Sequence, residues 1–515
     1  MDIVDNIVNV NRYTSCNIKR HVNTINNISY WICLDKNNIN LNNTKIIDKH
    51  SKFLNQRNVN IITKYIKQKI NINPILYQLN SDDFKSLIRI SFECKNIKML
   101  KKLHNYIMKI NHKFLTEYII KSCCCGYINI VKHLHKELKL TKHDFQLEDS
   151  YLWILKNNIR VVIVKYLHQK IGLTKKDFQT ENKFLYKWAC IRGNIDTVKY
   201  SYKKIGFTKQ DFQSNNNEAC ILACKYGNID IVRYLHREIG LTKSDFQDDN
   251  NYAIRWACCR GHFNIVKYLH REIGLTKEDF QSENNLALRL ACQYGCINIV
   301  KYLHKKIGLS KQDFQSNDNY VWAWACSNGH INVVKYLYKI IGLTKEDFQS
   351  LNNLAGRWAC EKGHINVVKY LHKEIGFTKK DFQTDDNFAY KNACGKGKIN
   401  VVKYLHRNIG FTKQDFQSDD NEACKLACEK GNLNIVKYLH KKIGLTKEDF
   451  QSDDNRACRL ACEDGYLDVV KYLHRKIGLT KEDFQSCNND AYLNACEKGH
   501  TDTVNYLHQC FDLKL

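Results

Sequence analysis

A 34-residue unit recurs through this chain with almost no slippage. The string Lys-Tyr-Leu-His and its close variants end at His168, Tyr202, His236, His270, His304, Tyr338, His372, His406, His440, His474 and His508. Self-similarity at a fixed period confines a chain to a repeat architecture, in which each unit touches only its neighbours. It overrides the prior of about three globular domains for a chain of this length. Such an array builds a long binding surface and seldom a single catalytic pocket.

The segment from Asn421 to Asp454 shows what one unit encodes. Asn421 reads as the N-cap of a first helix, its side chain accepting an orphan backbone N–H. The same column holds Asn217, Asn251, Asn285, Asn319, Asn353, Asn387, Asn455 and Asn489. Ala423, Leu426 and Ala427 follow at helical spacing, and Gly431 ends that helix in a left-handed conformation. A second helix starts near Asn434, with Ile435, Val436 and Leu439 on its apolar stripe and Lys437 and Lys441 outward, and Gly444 ends it. Thr446 and Asp449 fit a T-x-x-D cap for a short helical turn, and Phe450 packs that turn against a neighbour. The motif Asp-Phe-Gln occurs eleven times, from Asp144 to Asp483. Strands of any length are not expected.

The period also decides what the chemically suggestive residues mean. Of 23 glycines, 21 fall in the two helix-ending columns, so glycine is punctuation and not a phosphate-binding loop. The main cysteine column, Cys190 to Cys496, places successive thiols on stacked helices roughly 8–10 Å apart. Disulfides need Cα atoms within about 7 Å, so these thiols cannot pair and read as buried apolar residues of a reducing compartment. The histidine column has one member per unit, too far apart for a shared zinc ion, and no Cys₂His₂ set completes at local spacing. Columns of polar residues diverge along a stack, so no nucleophile, base and orienter converge. No catalytic, metal or cofactor-binding residues are assigned, and an enzyme is not expected.

Leu426-Ala427-Cys428-x-x-Gly431-Asn432-x-x-Ile435-Val436-Lys437-Tyr438-Leu439 resembles the ankyrin pattern L-A-A-x-x-G-H-x-x-I/V-V-x-x-L-L. The Gly-His pair itself stands at His262, His330, His364 and His500. The unit closely resembles the repeats of ankyrin proteins in giant amoeba-infecting DNA viruses, whose Asn/Lys/Ile-rich composition it shares. The chain departs from the family pattern in lacking its T-P-L-H turn and in having one proline, Pro74. The T-K-x-D-F-Q segment stands where the family's hairpin finger would be. The resemblance implies an all-α, ankyrin-like helical-repeat solenoid of about 13 helix-turn-helix units over residues 87–515. Residues 1–86 form an N-terminal segment with a degenerate helical or capping repeat at 59–70.

The function implied is a non-enzymatic protein–protein interaction scaffold, with a host protein as target in a viral setting. Aromatic residues dominate interface hot spots, and they interrupt two otherwise variable columns of the first helix. Phe184, Tyr186, Tyr252, Tyr320, Trp322, Phe388 and Tyr390 are the candidate partner-binding residues. Two alternatives remain open. The formal charge of +27 and an outward lysine stripe from Lys165 to Lys471 admit nucleic-acid or polyanion binding. Alternatively, residues 1–86 dock host machinery while the repeats choose a substrate. A second lysine column, Lys142 to Lys481, is offset by the nearby Asp of its Asp-Phe-Gln. No h-region opens the chain and no run of 18 apolar residues occurs, so a monomer inside the host cytoplasm, away from membranes, is expected.

Overall fold

The computed structural model describes residues 128–137, 141–143, 161–180, 183–315 and 320–513. The expectations for residues 1–86, including the helix at 59–70, lie outside the described residues. The chain divides into two compact units, one ending at Asn215 and the other running from Asn216 to Leu515.

In the second unit most repeats share one order, although the second helices Ile229–Arg237, Phe263–Arg271 and Thr501–Phe511 run on without a separate π-type turn. Lys413–Glu429 begins as a short capped turn, breaks, and resumes as the first helix. Gly431 ends it at φ +66. The second helix, Leu433–Tyr438, closes through the wide π-type turn Leu439–Ile443. Gly444 then turns left-handed at φ +84, and the Leu445 N–H reaches back to the Leu439 carbonyl at 3.0 Å. That bond satisfies a carbonyl which a helix end otherwise leaves open. First helices pack on first helices and second on second, repeat after repeat. Between them lie Ile435, Val436, Leu439, Ala423, Ala427 and Cys428, all essentially inaccessible. In the first unit the helices Leu185–Arg192 and Ile195–Tyr200 follow the same plan. A two-residue antiparallel pair, Gln179–Thr180 with Lys183–Phe184, precedes them and leaves the all-helical class unchanged.

The asparagine column is not an N-cap. Three consecutive left-handed residues precede the first helix in repeat after repeat, for example Asp419 (φ 51), Asp420 (φ 51) and Asn421 (φ 63). Eight such triplets are described, and twenty-one of their twenty-four residues are Asn or Asp. A left-handed residue costs roughly 1–2 kcal/mol unless it is Gly, or Asn or Asp with a short polar side chain. The column is therefore selected for φ/ψ. Consistent with this, Oδ1 of Asn251, Asn353, Asn421 and Asn455 accepts no hydrogen bond from the protein.

The strained turn is clipped in place. Arg357 donates to the Leu351 carbonyl at 3.0 Å, and Arg255 to the Asp249 carbonyl at 2.6 Å, each six residues back. The same basic column reaches the next repeat's left-handed acid: Arg357 with Asp385, Lys391 with Asp419, and Lys425 with Asp453 at 3.2 Å. Hydroxyls add a second tie, from Ser452 to the Asp420 carbonyl at 2.9 Å and from Thr384 to the Asn352 carbonyl at 3.1 Å.

Candidate interaction surface

The Lys-Tyr-Leu-His and T-K-x-D-F-Q strings are inter-repeat ladders. The leucine is core. The histidine Nδ1 meets the tyrosine hydroxyl of the following repeat, as in His304–Tyr336 and His372–Tyr404, both at 2.9 Å. The lysine stands over that same ring, with Lys369 Nζ 5.8 Å from the Tyr404 centroid. Burial pushes His372 below its ordinary value, and Lys373 pushes it further, so the ring is neutral at neutral pH. His236, His270, His304, His406, His440 and His474 shift the same way, first by burial and then by an adjacent Lys or Arg.

The aspartate of Asp-Phe-Gln is held from four directions. Asp381 accepts the Thr378 N–H at 2.6 Å, the Thr378 hydroxyl at 2.9 Å and the Gln349 amide at 2.6 Å, with Lys345 at 3.6 Å. Burial raises its pKa, but these donors outweigh it and hold the carboxyl below its ordinary range. Thr378 and Asp381 form the expected capping box. The lysine offset is corrected in one respect: Lys345 pairs with the aspartate of the next repeat and not with its own. The second lysine column is therefore spent on stacking, whereas the helix-two lysines Lys301, Lys335, Lys369 and Lys437 stay exposed.

Three of the aromatic residues singled out by their columns prove to be interior. Tyr186, Trp322 and Tyr390 are fully buried. Each packs against the Asp-Phe-Gln phenylalanine of the following repeat: Tyr186 on Phe212 at 4.2 Å between centroids, Trp322 on Phe348 at 5.7 Å, and Tyr390 on Phe416 at 5.1 Å. A side chain enclosed between repeats cannot reach a partner, so these three are packing residues and not contacts. Gly356 occupies the same column, with Phe377 and Phe382 filling the space it leaves. The aromatic interruptions are thus volume adjustments in the core. Tyr252 and Phe388 are half-buried; Arg255 lies over the Tyr252 ring at 4.9 Å and Arg357 over the Phe388 ring at 5.4 Å. The side chains of Phe184 and Tyr320 lie outside the described residues.

The first helix carries a surface column that its sequence position did not single out. Trp256, Leu290, Trp324 and Trp358 are spaced 34 residues apart and all half-buried. Trp324 and Trp358 touch, with ring centroids 5.3 Å apart and planes at 47°. Trp256 lies edge-on to Tyr252 at 5.8 Å, with Lys225 Nζ 3.8 Å over its ring and Arg260 at 5.5 Å. Tyr226 and Tyr294, 47% and 53% exposed, stand at the turns beside them. The available signal was rarity: of seven tryptophans, Trp188, Trp256, Trp324 and Trp358 share one column.

Rigid helices thus present large half-exposed rings at regular spacing, beside cationic groups. That arrangement suits binding and brings no nucleophile and base together. Among the described residues no group of three His, Cys, Asp or Glu is arranged to hold a metal ion, and no helix is long and apolar enough to cross a membrane. The cysteines of the main column from Cys190 to Cys462 are buried thiols outside any disulfide, and burial pushes thiols such as Cys360 and Cys394 far up.

No curated protein matches the chain. The ankyrin-repeat family model matches three stretches, residues 238–318, 357–454 and 390–483, of which the last two overlap. Repeats of this family generally mediate protein–protein interaction and are typically non-catalytic. The repeated helix-turn-helix units of the second unit form an all-helical solenoid, and ankyrin repeats are present in it.

Proposed function

We propose that this chain is a non-enzymatic interaction scaffold that grips a protein partner with the first-helix face of its second unit. The carrying observation is the half-exposed column Trp256, Leu290, Trp324 and Trp358. Tryptophan is the most frequent hot-spot residue, and a half-buried ring on a rigid helix loses little freedom when covered. Tyr252 and Phe388 flank the column, and Phe184 and Tyr320 remain candidates on sequence grounds. The resemblance of the repeat unit to those of giant-virus ankyrin proteins is the ground for proposing a viral source and a host protein as the partner. The wealth of free thiols supports a reducing intracellular site.

The test is affinity capture from amoebal lysate with the full chain and with Trp324→Ala/Trp358→Ala, helicity being checked by circular dichroism. The tryptophan variant should lose the captured partner by at least about tenfold, a hot-spot effect of about 1.4 kcal/mol or more. Unchanged capture by a folded variant refutes the assignment. A second reading, polyanion binding along the exposed helix-two lysines, is favoured by their fixed attitude over successive tyrosine rings. It requires affinity for duplex nucleic acid that falls steeply with salt.

A further inference from the structure

At Tyr338 the histidine ladder of the second helices is interrupted. Tyr338 stands where His304 and His372 stand in adjacent repeats. Its ring meets Tyr370 edge-on at 6.2 Å and 86°. Tyr370 is 6% exposed, and its hydroxyl has no hydrogen-bond partner in the protein. The equivalent Tyr336 and Tyr404 hydroxyls are taken by histidine Nδ1 at 2.9 Å. At this same boundary lies a cleft of about 310 Å³, lined by Lys335, Lys369, Tyr370, Lys373 and Glu374 among others. Lys335 Nζ is 5.8 Å from the Tyr370 ring, and the Glu374 carboxylate is drawn by Lys339 at 3.7 Å. Ile340, on the same second helix, is 55% exposed where neighbouring repeats carry Lys306 and Glu374.

We infer that this cleft is a phosphate site that takes a phosphate monoester carried on a protein partner's side chain. Three lysines and one glutamate line the cleft, an excess of positive charge that matches the near-dianionic charge of a phosphomonoester at neutral pH. The buried phenol supplies a neutral donor beside the lysines. Burial holds its proton, with the pKa pushed up to about 12, so it donates to an anion throughout the neutral range. A buried hydroxyl left unpaired is a liability, and an anion in the cleft relieves it. The lysines recur along the array, but the unpaired Tyr370 hydroxyl and the exposed Ile340 come together at this boundary. That favours a single phosphate group over the backbone of a nucleic acid, and the exposed Ile340 offers an apolar contact to the residues flanking it.

Calorimetric titration of the full chain in chloride buffer with inorganic phosphate, O-phosphoserine and a duplex oligonucleotide tests this. The first two should bind saturably. Tyr370→Phe should weaken them about tenfold, and Lys369→Gln/Lys373→Gln should abolish binding. Tyr338→His is the decisive variant. It restores the histidine partner, occupies the hydroxyl, and should weaken phosphate binding while raising the thermal midpoint, so loss of fold cannot explain the result. Phosphate affinity unchanged in both Tyr370→Phe and Tyr338→His overturns the site. So does binding only to the duplex, with a steep salt dependence that neither variant alters.

Discussion

The left-handed triplet makes a prediction about sign, which is more telling than one about size. Asn352 has φ 54 and ψ 49, its side chain is exposed, and its carbonyl accepts the Thr384 hydroxyl. Replacing it with alanine leaves the carbonyl in place but removes the short polar side chain that makes the left-handed region tolerable, at roughly 1–2 kcal/mol. Glycine escapes that term and instead loses about 0.5–1 kcal/mol through the greater freedom of its unfolded chain. Asn352→Gly should therefore be more stable than Asn352→Ala by about 0.5–1 kcal/mol. An ordinary exposed helical position gives the reverse order by a similar margin. The assay is urea unfolding followed by tryptophan fluorescence, since Trp322, Trp324 and Trp358 bracket the turn. Each repeat contacts only its neighbours, so the effect belongs to the transition these probes report. An alanine variant as stable as the glycine variant, or more so, refutes a left-handed turn at this position.

Three further outcomes follow from the ladders. His372→Leu leaves the Tyr404 hydroxyl buried without its partner and should cost about 1–3 kcal/mol by urea unfolding, whereas the same change at the exposed His508 should be near neutral. Acid should weaken the array: the seven ladder histidines have depressed pKa values, so the unfolded chain gains protons first, near 6.5, and the folded state only further down. Stability is then full above about pH 6.5 and declines below it, and a flat urea midpoint between about pH 7.5 and 5 contradicts the shifts. Asp381→Asn removes the charged acceptor shared by Thr378, Gln349 and Lys345 and should cost about 1.5–3 kcal/mol; it should also blunt the further loss seen as pH falls below the ordinary carboxylate value of 3.8.

The chain itself contains a control for the clip between repeats. Asp385, Asp419 and Asp453 each lie 28 residues after a basic residue, Arg357, Lys391 and Lys425. Leu351 lies 28 residues after Ala323, and there neither member carries charge. That pairing, which Arg289 with Asn317 and Arg459 with Cys487 do not share, was legible in the sequence once its register was known. The register was not, because periodicity locates helices and says nothing of three residues that leave the helical region.

From the sequence alone came the 34-residue period, the two helices, the glycine that ends each, the threonine–aspartate cap and the scaffold role of the cysteines. These follow from local backbone preference and helical spacing, which act within one repeat. What needed tertiary structure was every relation between repeats. The Asp-Phe-Gln aspartate serves the lysine and glutamine of the preceding repeat, the histidine serves the following tyrosine, and the asparagine column holds a left-handed turn and not a cap. The same limit misassigned the surface. Tyr186, Trp322 and Tyr390 stand one helical position from Lys187, Ala323 and Lys391, and spacing alone does not say which side of a thin two-helix layer meets solvent. In a solenoid both sides of the first helix are partly apolar, one against the next repeat's phenylalanine and one along the open face. Only the packed array distinguishes an aromatic that fills a gap from one, such as Trp324, that remains half in water.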